Sequence, residues 1–101
     1  MSNLLNFIED DIYSEEIDKE TRLRIQLAIY AYAYEYDNNA LVSDGEFDAM
    51  CKKVNLSINT RRPIMDIFFK KKFNPSTGMW IRDHPEIGRI KHLYEKHYKD
   101  R

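Results

Sequence analysis

The chain has 101 residues, 43% of them apolar or aromatic, and its 16 basic and 17 acidic side chains leave a net charge of −1. That length holds one domain around one core, and the single cysteine, Cys51, excludes an internal disulfide and a cysteine-built metal centre. No apolar run approaches the roughly 20 residues that span a bilayer, the N-terminus has no basic, apolar leader, and three glycines and three prolines argue against collagen-like, linker-like and turn-rich β architectures.

The expectation is therefore a single all-α domain over residues 1–101, without membrane contact, in a reducing, cytoplasmic compartment. Its architecture is expected to be a compact bundle of four to five helices. Charge is graded along it: residues 1–20 sum to −6 and residues 61–101 to +6. Folding either exposes these as two poles or turns them against each other.

Asn3–Ile8 reads as a short apolar patch of one or two helical turns. An acidic stretch, Glu9–Glu20, follows, with Ile12, Tyr13 and Ile17 as its core-facing residues. A helix can start from Glu15, because acids near a helix N-terminus are favoured by the dipole. The strongest periodic segment is Arg22–Tyr36. Ile25, Ile29, Tyr32 and Tyr36 form one stripe, and Leu23, Leu27, Tyr30 and Tyr34 form another on nearly the opposite side. Arg24 and Glu35 share one flank; Arg22, Gln26 and Asp37 share the other. A helix apolar on two sides belongs between neighbours. The alternation of Tyr30–Tyr36 also fits a strand, but the stripes continue back to Leu23 and the small residues are helix-forming alanines.

Asp37-Asn38-Asn39 reads as a turn, with Asn suited to the left-handed conformation at a helix end. Ser43 with Glu46 forms a capping box opening a helix to about Val54, with Phe47, Met50, Cys51 and Val54 inward and Lys52 and Lys53 at its end. After a connector, Asn59 or Thr60 is the expected cap of a further helix with Pro63 in its first turn. Ile64, Ile67, Phe68 and Phe69 are its expected apolar face, and Lys70, Lys71 and Lys72 close it. Asn74–Gly78 reads as a loop, and Met79-Trp80-Ile81 as a short apolar segment over the core. Asp83 and Glu86 are spaced as a second capping box, opening a last helix at about Pro85–Tyr98.

The stretch from Tyr34 to Asp48 carries the one recognisable motif. A tyrosine late in one helix, a short turn, a Ser43 cap and Asp44-Gly-Glu-Phe47-Asp48 open the next helix. This resembles the N-terminal Ia domain of NAD-dependent DNA ligases, over about fifteen residues, with the helical hairpin around it covering residues 20–54. The whole chain also looks like small stand-alone ligase-related proteins of bacteriophages, with residues 60–101 as a C-terminal helical extension. The resemblance implies a scaffold that grips the nicotinamide mononucleotide (NMN) half of NAD, and it carries nucleotide contacts onto Tyr34, Asp44 and Asp48. Glu35 stands where the family has histidine, and Phe47 where it has tyrosine. The Lys-x-Asp-Gly setting of ligase adenylation does not occur; the only Asp-Gly, Asp44-Gly45, follows Ser43. No catalytic residue is expected, and the chain is not expected to be an enzyme.

Each of these features also has a plain structural reading. Asp44 and Asp48 form either an acid pair or a helix start that favours negative charge. Tyr30 and Tyr34 form either a stacking wall for a ring or part of the core. His84, His92 and His97 do not share a helical face, so no metal is expected. Cys51 is expected to be an inert core thiol. Arg61, Arg62, Lys70, Lys71 and Lys72, interleaved with Phe68, Phe69, Phe73 and Trp80, suit single-stranded nucleic acid or an acidic partner. The alternative is a solvated face with inward aromatics.

Three functions remain. The leading expectation is a non-catalytic interaction protein, a phage accessory factor binding or inhibiting a host or defence protein in the host cytoplasm, with no required cofactor. The others are an NMN- or NAD-binding module working with or against a ligase, and a nucleic-acid-binding accessory protein.

Overall fold

The computed structural model describes the backbone of residues 3–100 and the side chains of residues 15–100. Four α-helices and one short 3-10 helix make up the fold: α1 (Asn3–Asp37), α2 (Asp44–Lys52), α3 (Pro63–Lys72), the 3-10 helix (Met79–Asp83) and α4 (Ile87–His97). Among the described residues there is no strand, as the all-α expectation required.

The first helix differs from expectation. In place of a short N-terminal turn and a helix starting near Glu15, one helix runs for 35 residues. The first glycine is Gly45 and the first proline Pro63, so nothing before Asp37 breaks it. At 1.5 Å per residue such a helix is about 52 Å long, close to the 56 Å longest dimension of the fold. The inward placement expected of Ile12 and Tyr13 lies outside the described side chains; Ile17 is half-buried.

From Leu27 to Ala33, α1 is central, packing against α2, the 3-10 helix and α4. Its alanines 28, 31 and 33 are fully or almost fully buried. They let neighbours approach the backbone, while the flanking stripes of leucine, isoleucine and tyrosine fill the space to either side. Asn38 takes the left-handed conformation with φ 49°, and the Asn39 N–H closes back on the Ala33 carbonyl at 2.9 Å. The Asn39 side chain then donates to the Tyr94 hydroxyl at 2.9 Å. That hydroxyl in turn donates to Asp37, fastening the α1 end to α4. Burial is the chief reason the Tyr94 pKa lies above its ordinary value.

Helix α2 keeps the expected capping box, with both Ser43–Glu46 hydrogen bonds present. It ends at Lys52, two residues before the expected Val54, because Lys53 N–H turns to the Met50 carbonyl and tightens the end. Cys51 is buried, and burial pushes its thiol up to about 11.

Two expected caps are absent. The N-cap of α3 is Arg62, without a side-chain bond. Thr60 turns instead to Asp66, donating both its N–H (2.9 Å to Oδ2) and its hydroxyl (to Oδ1). Helix α4 starts at Ile87, and Asp83 forms no box with Glu86. His84 intervenes: its Nδ1 accepts the Glu86 N–H at 3.0 Å. The inward face of α3 also differs. Ile64 and Ile67 are 57% and 55% exposed, while Met65, Asp66, Phe68 and Phe69 are buried. The helix is rotated to bring Asp66 against Arg24, which moves the two isoleucines outward. Trp80 is buried over the core, as expected of its short apolar segment, with ring centroids 5.4 Å from both Phe69 and Phe73.

Candidate functional site

Charged residues gather in a closed cluster and in an open one. The closed cluster surrounds Arg24, which is 1% exposed. Its Nε donates to Glu20 at 2.8 Å and its Nη1 to Asp66 at 2.8 Å. Its Nη2 donates to the Asn55 and Ile58 carbonyls at 2.8 and 3.2 Å. The guanidinium lies 5.3 Å from the Phe69 ring centroid. Glu20 also accepts the Asn55 N–H at 3.1 Å. The buried polar groups of the cluster are thus paired, as a dry environment demands. Helical periodicity put Arg24 on a flank; that Asp66, 42 positions away, meets it has no signature in local sequence.

The open cluster lies where α1 ends and α2 begins. A cavity of about 320 Å³ opens between them. The last turns of α1 supply Tyr30, Ala31, Tyr34 and Glu35; α2 supplies Asp44, Phe47 and Asp48. Ala40, Leu41 and Val42 line it from the connecting turn, and Ser76, Thr77 and Gly78 close one side. Tyr34, Asp44 and Asp48, expected as one site, therefore share one concavity, together with Glu35 and Phe47. The helix pair explains this: Tyr34 comes three residues before the α1 end, and the capping box aims the first turn of α2 back across it.

The loop from the C-terminal half was not expected at this site. Asn74 shapes it, its side-chain oxygen accepting the Ser76 N–H at 2.8 Å. Gly78 then comes close to α1 and α2: a Cβ there would lie 3.4 Å from the Ala31 Cβ and from the Phe47 ring. A lone Asn-Pro-Ser-Thr-Gly run signals a loop but not its destination.

Electrostatically the pocket is acidic. Three carboxylates line it, and no lysine, arginine or histidine does. Glu35 is paired at the rim with Arg82, Nη2 to Oε2 3.1 Å, and that arginine is 58% exposed. Among the described residues, neither the Asp44 nor the Asp48 carboxylate has a hydrogen-bond or ion-pair partner. No group of three or more histidine, cysteine, aspartate or glutamate side chains among the described residues could hold a metal ion. The aromatic wall is mixed: Tyr34 is 55% exposed, whereas Tyr30 is half-buried, its hydroxyl accepting from Gln26 at 2.9 Å and its ring edge-on to Tyr98.

The basic residues sit at the two ends of α3. Arg61, with φ 66°, and Arg62 precede α3, while Lys70, Lys71 and Lys72 occupy its last turn. A ten-residue helix separates them by about 15 Å. The aromatics between them face inward: Phe68, Phe69 and Trp80 are buried and Phe73 half-buried. Arg62 instead borders a shallower depression of about 140 Å³ with His84, Glu86 and Arg89 over Ile25, Met65, Ile90 and Leu93. His84 is buried there, and burial lowers its pKa against the partial offset of Glu86.

No helix among the described residues is long and apolar enough to cross a membrane. Comparison with known proteins returns no matching family model, no matching curated protein and no matching solved structure.

Proposed function

We propose that the chain is a non-catalytic interaction protein on a ligase Ia-like scaffold, a phage accessory factor that binds a host or phage protein through the acidic pocket. The observation that carries this reading is the pair of unpartnered carboxylates, Asp44 and Asp48, in an open aromatic-walled cavity. Such a surface attracts a cationic partner and repels phosphate. The inward aromatics of α3 weigh against single-stranded nucleic acid, whose bases need exposed rings to stack on.

The test is affinity capture from a lysate of the cell that makes the chain, using wild type and a D44K/D48K variant side by side. The expected result is a partner held by wild type and lost by the variant. The same proteins on both, or none on either, would refute the reading.

One observation favours an NMN- or NAD-binding module as the second reading. The three positions implied by the resemblance converge on one pocket, and Arg82 offsets the charge of Glu35 at its rim. Calorimetry decides: heat with NMN at millimolar concentration, abolished by Y34A, supports it, and no heat removes it.

A further inference from the structure

We propose that the pocket receives the guanidinium of an arginine side chain presented by the partner protein. This deepens the interaction reading above and rests on it.

The pocket is lined by three carboxylates and by no basic side chain. Among the described residues only Glu35 of the three has a cation against it, and that cation, Arg82, approaches from the rim. Asp44 and Asp48 lie four residues apart on α2, on one helical face, where Cβ atoms are about 6 Å apart. Neither is partnered among the described residues. Tyr30, Tyr34 and Phe47 supply ring surface beside them. A flat cation satisfies both features at once: its edge donates to carboxylates in a fork, and its face lies on an aromatic ring.

The chain already builds this arrangement once. Arg24 is held between two carboxylates, Glu20 and Asp66, with its guanidinium over Phe69. The pocket presents similar groups, the Asp44 and Asp48 carboxylates beside aromatic rings. Arg82 on Glu35 shows a guanidinium accepted at the rim as well. An ammonium would use the charge but not the ring face or the fork, so arginine is favoured over lysine. A phosphate-bearing ligand would place its anion among the carboxylates.

The test is amide-detected NMR titration of the full chain with capped tripeptides Gly-Arg-Gly, Gly-Lys-Gly and Gly-citrulline-Gly, and with NMN. Citrulline keeps the shape and removes the charge. The arginine peptide is expected to shift Tyr34, Asp48 and Thr77, with the citrulline and lysine peptides weaker by about tenfold or more. A D44N/D48N variant, shown by its melting curve to be folded, should lose binding by a similar factor. Equal binding of arginine and citrulline, an unaffected variant, or no shift with any peptide would overturn the proposal. So would lysine binding as tightly as arginine. Shifts with NMN but not with arginine would overturn it in favour of the nucleotide reading. If D44K/D48K abolishes partner capture while the arginine peptide leaves the pocket silent, the interaction reading survives and the arginine assignment falls.

Discussion

Glu20 and Asp66 lie buried around Arg24, each within hydrogen-bond distance of its guanidinium, whereas Asp44 and Asp48 line a cavity and have no ion-pair partner among the described residues. Both clusters combine carboxylates with aromatic rings. They differ in that the first holds an arginine of the chain between its carboxylates. The closed cluster joins α1, α3 and the 55–60 connector, and its role is to fix their arrangement. The open one lies on the surface of a corner already held by a capping box and by packing, so its charges are free to meet something else. Unpaired charge at a site the fold does not depend on is a better pointer to function than charge itself.

That contrast can be broken most directly at Arg24. R24A strands two buried carboxylates and two carbonyls, and should destabilise the domain by about 3–5 kcal/mol. Chemical denaturation would measure it; a loss of the size seen at a surface site would mean the closed cluster is not structural. Next comes the fastening at the α1 end. Y94F removes the hydroxyl shared by Asp37 and Asn39, with an expected cost of about 1–2 kcal/mol and a lower Tm.

A smaller effect should follow pH through His84. Burial lowers its folded-state pKa below the ordinary 6.5. The unfolded chain therefore binds more protons as acid is added, and stability falls. The contribution is complete above 6.5 and is lost as pH drops through the folded-state value. H84Q should flatten that limb of the Tm-against-pH curve relative to wild type. An identical curve would show that carboxylates alone set it. The smallest effect belongs to the open cluster. D48N should change stability by no more than about 0.5 kcal/mol, since no partner of the carboxylate is lost. A large loss there would make Asp48 structural and close the comparison.

Much of this was legible in sequence wherever the signal was local. The stripes of α1, the Ser43–Glu46 box, the turn at Asn38 and the grouping of Tyr34, Asp44 and Asp48 depend on residues near one another in the chain. What failed was set at long range. Ile64 and Ile67 read as an inward face by composition, yet Asp66 lies inward because Arg24 and Thr60 need it. Asp83 and Glu86 had the spacing of a box, but the His84 ring offered the nearer acceptor. The start of α1 was missed for a different reason. The acidic stretch reads as a helix N-terminus, but the lack of any glycine or proline lets the helix run through it. The loop at Ser76–Gly78 and the Arg82–Glu35 pair bring positions more than 40 residues apart to one pocket, and no local pattern announces that.

Cys51 carries a practical consequence. It is the one thiol in the chain, it is buried in α2, and its proton is held well above neutral pH. A thiol reagent can reach it only when the packing around it opens, so the labelling rate reports how often α2 loosens. The chain thus contains its own clock for opening of the core at this corner. A ligand that braces the corner should slow that clock without touching the sulfur.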